Sequence, residues 1–298
     1  MENQPSIRMP STWEANLSAA GLLIWIVLVS GILALFLNIG LLMLAGQVLF
    51  IVPVLVWVII RRLPLRDTFR LKPVSMGTAV GSILIGFTCW PIVAAAVTLL
   101  EKPLNLIGPY PPSPVPAGVL ESVLYALTFI VVAPLTEEPI YRGFILRAWL
   151  RRGTLAGILL SGFLFGLVHS QIAALLPITF LGIVLGMLSH RSGSIVNTIL
   201  AHAAYNILPT FFYLIPSLQN IPDGMLYTAG IIALPILGLL LSVFLRTHPD
   251  RSAENPPRES SSLLWPIVTL GIAIGLFCMM AGLEIFLRLS PDLVEGKF

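Results

Sequence analysis

Between Glu14 and Arg61 the chain runs for 46 residues without one charged side chain. A helical bilayer crossing takes about 20 apolar residues, so this stretch holds two crossings and the turn between them. Composition extends the point to the whole chain. Of 298 residues, 57% are hydrophobic and only 10% charged, with a mean hydropathy of +0.94, whereas soluble chains carry roughly 25% charged residues. A soluble domain is excluded, and so is a disordered chain, which needs low hydrophobicity and high charge. The runs are too long, and alternate too little, for a membrane β-barrel. The sequence predicts an all-α, polytopic transmembrane helical bundle.

Nine apolar runs mark about eight to nine helices, at roughly 17–37, 39–60, 75–100, 118–146, 154–170, 172–189, 194–214, 224–245 and 263–286. Glycine and proline within them are tolerated where neighbouring helices satisfy the freed backbone groups. The N-terminus lacks the short apolar core and small-residue cleavage site of a signal peptide, so the first helix is expected to stay attached. The basic residues divide the connections. Five fall in 61–72, four in Arg142–Arg152, one at Arg191 and three in Arg246–Arg258; with Arg8 these make fourteen of the seventeen Lys and Arg. All fourteen share one side if the helices alternate, leaving Lys102, Arg288 and Lys297 on the other. The positive-inside rule assigns the richer side, with the N-terminus, to the cytoplasm. A multi-pass protein of the cell membrane is expected, with the lipid bilayer as its surroundings and no nucleic-acid partner.

Residues 1–117 read as three N-terminal helices, 118–215 as a core of four, and 216–298 as C-terminal helices joined by a polar, flexible cytoplasmic linker at 246–262. The proline-rich loop at 101–117 reads as stiff and extended. Cys89 and Cys278 lie inside apolar runs and read as buried small hydrophobes.

Charged and polar residues inside spanning helices are costly and mark functional positions. Few qualify. Glu138 and Arg142 are four apart, stack on one helix face and form a pair. Glu137 points about 100° away and keeps no such partner. Pro139 predicts a kink near Leu135. Glu137 precedes the turn at Gly153 by sixteen residues and His169 follows it by sixteen, so both lie about 24 Å along their helices from that turn. His202 and Asn206, again four apart, enter from the next basic turn at a similar level. Four polar groups thus converge below the cytoplasmic surface, and the site is expected to open to that side. Gly162 and Gly166, at small-xxx-small spacing, are expected to bring helices four and five close together. Glu121, and the pair Glu284 and Arg288, read as groups near helix ends that reach for the interface. Phe165 reads as packing.

The sequence E-E-x-x-x-R, then F-x-x-x-H, then H-x-x-x-N on successive helices resembles the CPBP family of intramembrane proteases, which includes the CAAX prenyl endopeptidases and bacteriocin-processing relatives. The likeness covers about 118–215. It implies an intramembrane endopeptidase acting on a membrane-associated peptide or a prenylated, CAAX-type protein. Glu137 would be the general base and His169 would share the water. His202 and Asn206 would stabilise the oxyanion, and Glu138 with Arg142 would be mostly structural, orienting Glu137. No cofactor is expected in this reading. A rival within the enzyme class is a zinc metalloprotease, holding its ion by Glu137, His169 and His202. A proton-coupled transporter using the same Glu and His groups as a relay, and a non-catalytic scaffold or immunity protein, stand outside the enzyme class. Oligomeric state is left open.

Overall fold

The computed structural model describes residues 10–111, 115–252 and 255–290, and all their regular structure is helical. Arg8, Lys297 and part of the proline-rich loop lie outside the described residues. The nine apolar runs become nine rods among the described residues: α1 Thr12–Leu33, α2 Ile39–Ile60, α3 Met76–Asn105, α4 Gly118–Leu150, α5 Thr154–Val168, α6 Leu175–Ser192, α7 Val196–Leu214, α8 Asp223–Thr247 and α9 Leu264–Leu289. Local signals start several of them. Ser11 and Glu14 form a capping box at α1, and Asn38 and Ser75 cap α2 and α3 through their side chains, satisfying otherwise orphaned helix N–H groups.

Seven rods are long and apolar enough to cross a membrane. The two outside that set, α5 and α7, carry His169 and His202. With 15 residues, α5 reaches only about 22 Å, short of a hydrocarbon core near 30 Å. It stops at His169, and Ser170 adopts φ +57°, a left-handed conformation that ends the helical path. The runs expected at 154–170 and 172–189 therefore form a hairpin with a non-helical connection. Irregular backbone at membrane depth is tolerated where it lines a cavity. The rod α7 is long enough but carries Thr198, His202, Asn206 and Thr210 at every fourth position, a polar stripe on one face.

Glycines fix the closest approaches. A Cβ on Gly162 would lie 2.8 Å from the Ile183 backbone nitrogen, and one on Gly182 would lie 2.8 Å from the Gly162 backbone. Gly162 and Gly166 thus join α5 to α6, not to α4 as the sequence predicts. It is Gly157 that meets α4, at Leu150. Gly86 of α3 sits directly on the Ala201 carbonyl, beside His202.

Two expectations at the C-terminal end are corrected. The described residues of 246–262 are tied down and do not form a loose linker. Glu259 accepts from the Thr12 amide and hydroxyl at 3.2 and 2.9 Å, its own amide donates to the Arg151 carbonyl at 3.1 Å, and Arg152 donates to Ser261. Hydrogen bonds from Ser252 and His190 hold the Asp250 carboxyl down at about 2. At the other end of α9, Arg288 is buried and does not snorkel. It donates to Glu284, Glu101 and the Gly108 carbonyl, while Glu284 also accepts from the Ile172 amide at 2.9 Å. The last helix therefore anchors the α5–α6 connection. Glu121 likewise accepts from the Ala117 amide at 2.7 Å, capping the start of α4. Cys89 is buried as expected, whereas Cys278 is exposed on the helical surface.

Candidate active site

The acidic pair sits in an irregular part of α4. Two π-helical segments, Thr128–Val132 and Pro139–Ile145, flank the α-helical turn Ala133–Glu138. In the first, the Ala133 amide bonds to Thr128, and the next amide would belong to Pro134, which has none. The Phe129 carbonyl is left over, and Asn206 donates to it at 2.7 Å. The second segment begins at Pro139, whose missing N–H loosens the ladder; the irregularity is a π-helical stretch at Pro139–Ile145, beyond the Leu135 level at which the sequence predicts a kink.

Glu138 is fully buried. Its Oε1 accepts from Arg142 Nη1 at 2.9 Å and faces His202 Nδ1 at 2.9 Å. Arg142, also fully buried, uses its other arm on the Gly182 carbonyl at 3.0 Å. The pair thus holds α4, α6 and α7 together. A carboxylate oxygen that already accepts from a guanidinium only accepts, so His202 carries its proton on Nδ1 and aims Nε2 away from the pair. Glu138 therefore orients His202, where the sequence reading had it orienting Glu137. Arg142 leaves the count of basic turn residues, although the asymmetry survives without it.

Glu137 is oriented by a residue the sequence reading missed. Gln47 of α2 donates to its Oε1 at 2.6 Å and is also within 3.1 Å of the Thr136 hydroxyl. The signal was present, since Gln47 is the one amide side chain in the run 39–60. The other oxygen, Oε2, is buried without a hydrogen-bond partner among the described residues and lies 3.9 Å from His202 Nε2. That distance is too long for a direct hydrogen bond and suits a bridging molecule.

His169 ends α5. Its Nδ1 lies 2.8 Å from the Phe165 carbonyl, an acceptor only, so Nδ1 carries the proton and Nε2 keeps its lone pair. Phe165 packs between the groups, with its ring edge-to-face against His169, His202 and Tyr141, at centroid distances of 4.9, 5.7 and 4.9 Å. The Arg142 guanidinium lies over the Phe165 face at 4.6 Å. The packing role expected of Phe165 is what fixes both imidazoles.

Glu137, His169, His202 and Asn206 line one cavity of about 570 Å³, and Gln47 and Gln171 share its wall. Glu138 and Arg142 stand behind it. On α4 it touches Tyr125, Phe129, Ala133 and Glu137 and nothing beyond, while every residue from Glu138 to Leu150 is buried. A His₂Glu ion site would need Glu137, His169 and His202 in one coordination sphere. Among the described residues no group of three His, Cys, Asp or Glu side chains is gathered so as to hold an ion.

No curated protein and no solved structure matches the chain. Residues 119–208, which contain Glu137, Glu138, Arg142, His169, His202 and Asn206, match the family model described as type II CAAX prenyl endopeptidase Rce1-like, consistent with the CPBP family.

Proposed function

We propose that the protein is an intramembrane endopeptidase that cleaves membrane-associated peptides with a water activated by Glu137. The observation that carries this reading is the division of hydrogen-bonding character around the cavity. Glu137 Oε2 and His169 Nε2 are acceptors, each fixed from behind, by Gln47 and by the Phe165 carbonyl. A water donating one hydrogen to each keeps a lone pair for a peptide carbonyl carbon. On attack one water proton passes to Glu137, which delivers it to the amide nitrogen as the C–N bond breaks, leaving an amine and a carboxylic acid that then releases the second proton.

Donors stand opposite. Asn206 has two amide hydrogens and spends one on Phe129, and the second, with no partner among the described residues, serves the developing oxyanion. His202 donates from Nε2 when it carries both protons.

The test is to incubate purified protein with a quenched prenylated peptide and an unprenylated control, each before and after exhaustive chelation. Cleavage of either peptide that survives chelation, with well under one metal ion per chain, is the expected result. Stoichiometric zinc, with activity restored only by added metal, would favour the rival. No cleavage of any peptide, with the protein folded, would favour the idle scaffold.

A further inference from the structure

The cavity has a direction, and charge gives that direction a side. On α4 it touches one residue per turn, from Tyr125 down to Glu137; on α7 it follows His202, Asn206, Thr210 and Tyr213 toward the end of the helix. At the α5–α6 connection it reaches Gln171, which is exposed. These positions share one end of the bundle: the start of α4, the end of α7 and the loop anchored by Glu284. The opposite end is closed. Beyond Glu138 the chain is buried without interruption to Leu150, and the stretch around Glu259 is tied over it through Thr12, Arg151 and Arg152.

The closed end is the basic one. It carries Arg147, Arg151, Arg152 and Arg191, with Arg61 to Lys72 and Arg246 to Arg258 in its connections. Such loops stay in the cytoplasm. Among the described residues that line the cavity, Glu137 is the sole Asp, Glu, Lys or Arg, and Tyr125, Phe129, Tyr205 and Tyr213 supply aromatic walls. With no Lys or Arg in that lining to receive a terminal carboxylate, the cavity suits an internal, uncharged stretch of peptide. We infer that the substrate is an uncharged peptide segment presented on the non-cytoplasmic side of the membrane. This rests on the endopeptidase reading above.

The experiment separates the two. Single cysteines are placed by Ala133→Cys, Gln171→Cys and Ser252→Cys in a Cys278→Ser background, which leaves only buried Cys89 of the native thiols. A membrane-impermeant maleimide is added to sealed right-side-out and inverted vesicles, and a quenched, uncharged peptide is added outside the same preparations with wild-type protein. Expected are labelling at 133 and 171 only in right-side-out vesicles, labelling at 252 only in inverted ones, and cleavage only in right-side-out vesicles. Labelling at 171 and 252 from the same side, a residue 133 thiol reached only in inverted vesicles or in neither, or cleavage in inverted vesicles would overturn the inferred side. The expected labelling without cleavage in either orientation would overturn the endopeptidase reading and leave the direction of opening intact.

Discussion

Glu138→Gln keeps the size of the side chain and removes its charge, so its effect measures what the buried carboxylate does. In the fold one oxygen of Glu138 serves both Arg142 and His202 at 2.9 Å, and neither Glu138 nor Arg142 has measurable exposure. Without the charge, Arg142 is left with the Gly182 carbonyl as its fixed partner, and an uncompensated buried guanidinium costs about 3–5 kcal/mol. For a chain of this size that corresponds to a melting point lower by about 6–10 °C, at roughly 2 °C per kcal/mol. The fold supplies its own assay. Cys89 is fully buried, so in a Cys278→Ser background a thiol-reactive dye reports only the opening of the bundle. A Glu138→Gln protein that melts within about 1 °C of its parent would refute the assignment of Glu138 and Arg142 as the pair joining α4, α6 and α7.

Gln47→Leu removes a hydrogen bond to the Glu137 carboxylate; such bonds contribute about 1.5–3 kcal/mol, so kcat should fall about 10-fold to 100-fold while the dye-detected melting point stays near that of wild type. Asn206→Ala should lower kcat by about 10²–10³-fold, as for a lost oxyanion donor, with little change in substrate binding measured on the Glu137→Gln background. Gly162→Ala forces a methyl against the backbone of α6 and should cost about 1–3 kcal/mol of stability. Gly21→Ala, with open space around it, should leave the melting curve unchanged.

The helical bundle was legible because apolar runs longer than a crossing permit little else. The Glu138–Arg142 ion pair was legible from spacing alone, since four residues on a helix bring the two together. Hydropathy could not show where α5 stops, because the apolar run continues through Val168 and the break lies in the φ of Ser170. Depth counted from Gly153 gives a level for the site but not an open end. Arg288 was misread for a related reason. A place near a helix end suggests an arginine that reaches for water; with α9 packed on α1, Arg288 instead reaches Glu101 and Gly108. Gln47 was overlooked because a single amide is easily passed over in a long apolar run.

The most direct test of the central claim is the rate of peptide cleavage by Glu137→Gln beside wild type, at matched folding by the Cys89 dye assay. Glutamine retains a carbonyl oxygen for Gln47 but cannot take a proton from water, so the account predicts a loss of at least about 10²–10⁴-fold in kcat, the range for a missing general base, with the melting point unchanged. Cleavage by Glu137→Gln within a few-fold of wild type would contradict it.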